Sequence, residues 1–192
     1  MGGLGAREWG PAMLGLKKEL NLLVDYDPQW PDEFENERAR IARSLGPLAR
    51  DIQHYGSTSV PGMRAKPILD ILVGVTPLST WEQCKAPLEA LGYDYAAHAG
   101  VPGHFIFGRG RDTTERTHLA HIVEFDGHEW RSNLAFRDAL RSDPDLRAAY
   151  VAEKERAAAL APEVRARYNA LKHDFVAEAQ AKVAARQAQH LG

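Results

Sequence analysis

The sequence predicts an α+β fold built around one hydrophobic core, and three observations support this prediction. Short apolar runs typical of β-strands occur in the first two thirds of the chain, up to about residue 125. Apolar residues recur at helical spacing in the last third, from residue 128 onward. The chain has 192 residues, which is enough for one domain with a substantial core and short for two. Strands followed by helices in one domain indicate an α+β architecture.

Composition and charge restrict the class of protein. Hydrophobic residues make up 44% and charged residues 26% of the chain, which excludes disordered, collagen-like and coiled-coil proteins. The formal net charge is −2, so the chain lacks the basic excess that drives non-specific nucleic-acid binding. No apolar run approaches the roughly 20 residues of a membrane span, and the single cysteine, Cys84, cannot form an internal disulfide. We therefore expect a cytoplasmic protein with neither a nucleic-acid nor a membrane partner.

The first 20 residues are expected to be a flexible extension, followed by a single domain over residues 21–192. Residues 1–18 contain several glycines and an isolated Trp9, but they lack the basic and apolar segments of a signal peptide. Regular patterns begin at Leu22, and no internal repeat or low-complexity linker divides the rest of the chain.

The elements of the first two thirds follow from apolar spacing and turn residues. Pro31 suits the start of a helix, whose apolar residues recur until Gly46 ends it. Residues 68–75 are nearly all aliphatic or β-branched, which is typical of a strand buried on both faces. Ser79 and Glu82 form a capping-box pattern at the start of the next helix. The predicted strands are residues 22–24, 52–55, 68–75, 104–107 and 119–125, and the predicted helices are residues 31–45 and 79–91.

The last third of the chain is predicted to form three helices. The first begins at about His128 and carries Phe136 and Leu140 on one face. Pro144 is placed to start the second helix. The third begins near Pro162, and its apolar residues keep a three-to-four spacing over several turns. We expect this long helix to bury one stripe against the rest of the domain.

The strongest candidate site combines a Gly-Ser loop with a carboxylate on a buried strand. Gly56, Ser57 and Thr58 follow one predicted strand, while Lys66 precedes the next strand and Asp70 lies on it. Backbone N–H groups and a hydroxyl in such a turn can contact phosphate oxygens, and a carboxylate on a neighbouring strand can bind a divalent ion. Turn hydroxyls also bond within their own loop, and a buried carboxylate can instead be structurally paired. The pattern favours phosphoryl or nucleotidyl transfer and leaves the structural roles open.

Several motifs, in this order, resemble the GrpB family of small proteins with a predicted nucleotidyltransferase fold. HYGSTSVPG at residues 54–62 and AKPILDILV at residues 65–73 carry most of the resemblance. YDP at residues 26–28 and FRDALR at residues 136–141 are similar to the N-terminal and C-terminal motifs of the family. Further matching residues are Trp30, Phe34, Pro144, Tyr150, Lys154, Tyr168 and Lys172. The resemblance covers about residues 22–175, nearly the whole domain.

The resemblance implies a nucleotidyltransferase-like mixed β-sheet with flanking helices, and a cleft where the Gly-Ser loop faces acidic strand residues. In the wider superfamily, three acids bind two metal ions that align a nucleoside triphosphate with an acceptor hydroxyl. Asp70 matches the first acid, whereas Leu72 occupies the second position and cannot bind a metal. Glu124 is the preferred third acid, because Asp126 beside Gly127 is better explained as a turn residue. Asp70 and Glu124 are therefore the candidate catalytic carboxylates and the candidate ligands of Mg²⁺ or Mn²⁺.

His121 is the third candidate catalytic residue, because it best fits the histidine of the family's motif. It could act as a metal ligand or a general base, since neutral imidazole titrates near working pH. His118 lies three residues earlier on the same predicted strand, so the two rings point to opposite faces. Alternation places Glu124 on the side of His118, and His121 on the side of Val123. A hydrogen-bonded structural role is the alternative for His121.

Three basic residues join the loop as candidate nucleotide-binding groups. Arg137 offers a planar fork for phosphate or carboxylate, and Lys66 offers a point charge. Lys172 lies four residues after Tyr168 on the last helix, and both could reach a nucleotide. Core packing is the better explanation for Tyr168, and an ion pair with Asp138 is the alternative for Arg137. The candidate nucleotide-binding set is Gly56, Ser57, Thr58, Lys66, Arg137 and Lys172.

The sequence thus predicts a metal-dependent nucleotidyltransferase that moves a nucleotidyl group from a nucleoside triphosphate to a small acceptor. One alternative is a nucleotide-binding or interaction protein without catalysis, since Leu72 stands in place of the second acid. Another is reuse of the fold for other transfer chemistry on a phosphorylated, adenylated or amino-acid-like small molecule, with His121 and Arg137 doing part of the work of a metal. A fold alone does not decide between these reactions.

Overall fold

The computed structural model describes residues 13–97, 101–112 and 114–190, which fold around a five-stranded mixed β-sheet. The helices are α1 (Trp30–Leu45), α2 (Lys85–Ala90), α3 (His128–Ser142), α4 (Pro144–Leu160) and α5 (Arg165–His190). The strands are β1 (Leu16–Lys17), β2 (Asp51–Tyr55), β3 (Leu69–Val75), β4 (Asp94–Tyr95), β5 (Phe105–Arg109), β6 (Glu115–Arg116) and β7 (His118–Glu124). Short 3₁₀ helices lie at Gly46–Leu48, Ser57–Ser59 and Leu78–Cys84.

The strand order in the sheet is β2-β3-β7-β5-β4. The central strands β3 and β7 are parallel, and the other neighbours are antiparallel. The parallel register aligns the beginnings of β3 and β7, with Asp70 opposite Leu119 and Leu72 opposite His121. Asp70 and His121 are therefore brought close together across the two central strands.

One face of the sheet packs against α1 and the segment around α2 to form the main core. This core includes large apolar side chains from both layers, among them Trp30, Phe34, Ile41, Ile71, Val73, Leu88, Phe107 and Ile122. Because side chains alternate along a strand, Asp70 and Leu72 of β3 lie on the opposite face. On that face Leu72 and Val123 pack with Trp130 of α3.

The helical third is built as the sequence predicts. Asp143 caps α4 by accepting hydrogen bonds from the backbone N–H groups of Asp145 and Leu146. Helices α3, α4 and α5 share a second apolar cluster that includes Phe136, Tyr150 and Ala179. Within the described ranges, no helix combines the length and apolarity needed to cross a bilayer.

Part of the predicted N-terminal extension is hydrogen-bonded to the domain. Strand β1 pairs antiparallel with β6, and the Gly15 N–H donates to the carbonyl of Pro67 at 2.9 Å. The Leu16 side chain is buried. Residues 1–12 of the predicted extension lie outside the described residues.

The predicted α+β class with a mixed sheet is confirmed, and two local predictions differ from the structure. Residues 22–24 do not form a regular strand, because only Val24 pairs, in an isolated bridge to Ala65. The helix predicted from the capping box is instead a 3₁₀ helix followed by the short α2. Pro77 precedes that 3₁₀ helix without a side-chain capping bond, so Ser79 is not its cap.

Candidate functional site

Asp70 lies at the centre of the candidate site, near the start of β3. Its partner across the antiparallel ladder is Tyr55, the last residue of β2. Asp70 Oδ1 lies 3.8 Å from Nε2 of His121 on β7. The Asp70 side chain is 32% exposed, whereas that of His121 is 10% exposed. A ligand from solvent can therefore reach the carboxylate, which has a buried imidazole beside it.

Gly56 brings the backbone of the Gly-Ser loop directly against this carboxylate. Its φ is +69°, and a Cβ built on it would lie 2.4 Å from Asp70 Oδ2. Both the backbone conformation and the close approach therefore require glycine. The loop and the strand singled out in the sequence are in direct contact.

The two hydroxyls predicted to bind a nucleotide have different environments. Thr58 is buried, and its Oγ1 lies 3.0 Å from Nε2 of His54, which is a structural pairing. Ser57 is half-buried, and no hydrogen bond among the described residues uses its hydroxyl. Ser57 is thus the hydroxyl of this pair that is available to a ligand.

Cationic side chains from the loop before β3 and from α5 surround the Tyr168 ring. Lys66 Nζ lies 4.2 Å and Lys172 Nζ 5.1 Å from the ring centroid. Tyr168 itself is 1% exposed, so it is a packed platform for the two ammonium groups rather than a surface residue. Arg165, the first residue of α5, donates to the carbonyl of Leu20 at 2.8 Å.

The electrostatics of the site are dominated by burial and by mutual repulsion between the cations. Burial raises the pKa of Asp70, and the charges of Lys66, Lys172, Arg165 and Lys154 oppose that rise. Burial holds the pKa of Lys66 well below its usual range, and Lys172 and Arg165 lower it further. Burial, and then Lys172, lower the pKa of Lys154 to about 7. One carboxylate therefore faces four basic side chains, two of which, Lys66 and Lys154, are shifted toward the neutral form, and a bound anion would favour their charged form.

The Arg137 guanidinium forms hydrogen bonds within the protein, as expected for a structural residue. Its Nη1 donates to Gln53 Oε1 and to the carbonyl of His54, both at 3.0 Å. Its Nε donates to Asp138 Oδ1 at 2.8 Å. The guanidinium thus ties α3 to β2, and the predicted phosphate contact of Arg137 remains a prediction.

Glu124 is separated from Asp70, which corrects the predicted pair of metal ligands. The register places Asp70 opposite Leu119 and Glu124 opposite Val75, so the two carboxylates lie at opposite ends of the parallel pair. Five residues of strand at about 3.3 Å each separate them by roughly 16 Å. The Glu124 carboxylate instead accepts a hydrogen bond from the backbone N–H of Leu78. The two acids cannot share a metal ion.

The residues around Asp70 do not fit the two-metal arrangement that the family resemblance implies. Leu72, at the position of the second acid, is fully buried in an apolar cluster with Val123 and Trp130. Among the residues that the structure describes, no group of three His, Cys, Asp or Glu side chains is arranged to hold a metal ion. The side chains that the structure does place around Asp70 are basic ones and His121.

The sequence singled out only part of this constellation. The structure brings together Gly56, Ser57, Lys66, Asp70, His121 and Lys172. It adds Arg165 and Lys154, whose charges act on Asp70. It also adds His104, whose Nδ1 lies 3.1 Å from Nδ1 of His121. Lys154 had a signal in the sequence, since it belongs to the C-terminal motif of the resemblance. Neither Arg165 nor His104 had one.

The fold and the site define a class of α+β protein with a cationic site around a single strand carboxylate. The chain belongs to the GrpB family, because the family model described as GrpB protein matches residues 22–182. Glutamate-rich protein GrpB of Alkalihalophilus pseudofirmus is 33% identical over 86% of this chain and 97% of that protein. The crystal structure of the conserved protein GrpB from Enterococcus faecalis is similar with a TM-score of 0.76 and 30% identity, over 86% of this chain and 99% of that one.

Part of this chain is also similar to part of a protein named as a kinase. Dephospho-CoA kinase of Mycolicibacterium paratuberculosis is 31% identical over 70% of this chain, and the match covers 39% of that protein. A large part of the kinase chain thus lies outside the similarity.

Proposed function

We propose that this protein binds a nucleoside triphosphate through its phosphates at the Asp70 site and transfers a nucleotidyl group from it to a small acceptor. The observation that carries the proposal is the cluster of four basic side chains around Asp70, whose charged forms a bound anion would favour. Phosphate oxygens are the natural counterions for clustered Lys and Arg side chains. The family resemblance, with its predicted nucleotidyltransferase fold, supports a nucleotide as the phosphate ester.

Each group of the site has a place in this proposal. Lys66 and Lys172 balance the phosphate charge from the Tyr168 platform, and Arg165 adds a third cation. The Ser57 hydroxyl donates to a phosphate oxygen. Gly56 lets the phosphates approach the loop backbone, because a side chain there would occupy the space next to Asp70. Bringing a phosphate and an acceptor hydroxyl together in this way contributes to catalysis by positioning.

Mg²⁺ or Mn²⁺ has no assigned step in this proposal. The resemblance implies such an ion, but Leu72 stands at the position of the second acid and Glu124 lies at the other end of the parallel pair, so neither position gives Asp70 a neighbouring carboxylate. Charge stabilisation comes instead from the fixed cations. Phosphate binding should therefore persist when divalent ions are removed.

The kinship with dephospho-CoA kinase favours a small phosphorylated molecule as acceptor. That relative is named for a kinase of dephospho-CoA, and this chain matches part of it. The formal net charge of −2 also argues against a nucleic-acid acceptor. Dephospho-CoA is therefore a compound to include among the acceptors tested.

A thermal-shift screen tests the binding step. Nucleoside triphosphates, pyrophosphate and inorganic phosphate are added one at a time, each with Mg²⁺ or with EDTA. A ligand at about 100 times its Kd stabilises the folded state by about 2.7 kcal/mol, so one nucleotide should raise Tm in both conditions. The Lys172→Met variant should lose about half of this shift or more, as expected for binding weakened about tenfold or more.

Lys182→Met is the matched control for that screen. Lys182 lies on the same helix, is 74% exposed and pairs with Glu178 at 3.9 Å, away from the Asp70 site. Removing the Lys182 charge should leave the nucleotide-induced rise in Tm unchanged. The proposal is wrong if no phosphate compound raises Tm, or if Lys172→Met and Lys182→Met respond alike.

Nucleotide binding without turnover is a second candidate function, and the buried Leu72 favours it. Incubation with nucleotides labelled at the α-phosphate and a set of small hydroxyl acceptors separates the two. Transfer of label that Asp70→Asn abolishes supports the transferase. Binding with no transfer to any acceptor supports the non-catalytic protein.

A further inference from the structure

Glu129, His104 and His121 form a hydrogen-bonded row of side chains, and the last ring of the row lies beside Asp70. Glu129 Oε2 lies 3.2 Å from Nε2 of His104, and Nδ1 of His104 lies 3.1 Å from Nδ1 of His121. Nε2 of His121 then lies 3.8 Å from Asp70 Oδ1, beyond hydrogen-bonding distance. It is buried and has no hydrogen-bond partner among the described residues. A buried polar atom without a partner at a ligand-accessible carboxylate needs an explanation.

The row is built from separate parts of the chain. His104 precedes β5, His121 lies on β7 and Glu129 lies in the first turn of α3. Gly103 has a φ of +73°, and a Cβ on it would lie 3.0 Å from Cγ of Glu129. Glycine at this position therefore lets the loop before β5 approach Glu129 closely. The His104 side chain is 4% exposed, so water has little access to the middle of the row.

The ionisation states of the row follow from its surroundings. Burial lowers the pKa of His104, against the opposing effect of Glu129. Burial and the neighbouring His104 hold the pKa of His121 well below its usual range. Burial raises the pKa of Glu129, but hydrogen bonds from His128 and His104 outweigh it and lower the pKa overall. At neutral pH, two neutral imidazoles therefore face one carboxylate.

These states leave one arrangement of protons. Ionised Glu129 can only accept, so Nε2 of His104 carries a proton and donates it. Nδ1 of neutral His104 is then an acceptor, and Nδ1 of His121 must be its donor. Neutral His121 consequently has no proton on Nε2, the atom that faces Asp70. The row thus fixes a tautomer in the way that second partners orient ligating or catalytic histidines.

We infer that Glu129 and His104 are positioning residues that hold His121 as a proton acceptor for a substrate hydroxyl at Asp70. A substrate oxygen about 2.8 Å from Nε2 of His121 donates its single proton to that nitrogen, while Asp70 Oδ1, 3.8 Å from Nε2, borders the same space and can bond to the oxygen only as a protonated carboxyl. In the step, the O–H bond of the hydroxyl breaks and an N–H bond forms at Nε2. The oxygen keeps the electron pair and becomes the nucleophile, while His121 becomes an imidazolium whose Nδ1–H still donates to His104.

The inference rests on the proposed function only for the identity of the hydroxyl, which would belong to the acceptor. The other groups around the imidazole are compatible with this role. The Tyr55 ring stands edge-on to His121 with centroids 5.2 Å apart. Burial raises the pKa of Asp70, which favours the protonated carboxyl, and Lys66 is the cation that opposes this rise most. His128 contacts the outer oxygen of Glu129, with Nδ1 3.0 Å from Oε1.

Nuclear magnetic resonance of ¹⁵N-labelled protein at pH 7 tests the tautomer directly, with no ligand present. Two-bond correlations between ring protons and ring nitrogens show which nitrogen of each histidine is protonated, and His121→Gln identifies the His121 signals. We expect a protonated Nδ1 and a proton-free Nε2 for His121. A protonated Nε2 in the wild-type protein would overturn the inference.

Glu129→Ala and His128→Ala separate positioning from general structure. Glu129→Ala removes the acceptor that orients His104, so signal from Nε2-protonated His121 should appear. His128→Ala removes the exposed partner of the same carboxylate and should leave His121 unchanged. If Glu129→Ala keeps the wild-type tautomer while its backbone spectrum shows a folded protein, the positioning role is wrong. The nucleotide screen fails or succeeds independently of this result.

Discussion

Lowering the pH from 7 to 5 is expected to reduce the free energy of unfolding by about 2 kcal/mol through each of His54 and His118, in addition to the loss that the buried His121 contributes. The His54 and His118 rings are buried in the folded protein, with 7% and 5% of their residue surface exposed. Burial, followed by Arg141 and Arg137, lowers the pKa of His54 to about 3. Burial, followed by Arg109 and Arg40, lowers the pKa of His118 to about 3.

The direction follows from proton binding. Between the folded pKa of about 3 and the unfolded value of about 6.5, the unfolded chain binds more protons than the folded one. The stability that the buried neutral histidines contribute is therefore present above about pH 6.5 and is lost as the pH falls. At pH 5, about 1.5 units below the unfolded pKa, each histidine costs about 2 kcal/mol.

Urea unfolding at pH 7, 6 and 5 measures this loss. His118→Gln should reduce the difference in the free energy of unfolding between pH 7 and pH 5 by about 2 kcal/mol. His173→Gln, which changes an exposed histidine of α5, is the control and should follow the wild type. If wild type and His118→Gln show the same pH dependence, His118 has the same pKa in the folded and the unfolded chain, and the prediction is wrong.

Leu72→Asp is expected to destabilise the protein by at least about 4 kcal/mol and to create no metal site. Leu72 is fully buried and packs with Val123 and Trp130. The substitution removes apolar packing and places a carboxylate in an apolar cluster, and each change costs several kcal/mol. Urea unfolding with and without Mg²⁺ measures both effects.

Leu72→Asn is the matched control, because asparagine has nearly the shape of aspartate but carries no charge. It should also be destabilised, but less than Leu72→Asp at neutral pH. A Leu72→Asp variant that is as stable as wild type, or that Mg²⁺ stabilises strongly, would contradict this account. Such a result would mean that position 72 can face a metal ion beside Asp70.

The sequence predicted the elements whose patterns are local. The aliphatic run of β3 and the spacing in α1 and α5 depend on neighbours a few residues away, so they could be recognised without the structure. Asp70 was visible as an acid in an aliphatic strand. Alternation also predicted that His121 shares a face with Val123, where Tyr55 and Trp130 lie in the structure.

The errors concern distances between segments. Glu124 was a reasonable third acid because it lies on a strand near His121, but only the register of β3 against β7 shows that it is at the far end. His104 and Glu129 meet His121 from separate elements, and no spacing in the sequence links them. Arg165 has no distinguishing pattern in the sequence and Lys154 is marked only by its motif, so the packing of α4 and α5 was needed to place both near Asp70.

The single central claim is that fixed cations, rather than a pair of metal ions, bind the phosphates at Asp70. Calorimetric titration in EDTA, with the nucleotide that gives the largest thermal shift, tests it most directly. We predict binding without divalent ions, weakened about tenfold or more in Lys172→Met and unchanged in Lys182→Met. Binding that disappears in EDTA and returns with Mg²⁺ would contradict the claim and would indicate a metal ion at Asp70.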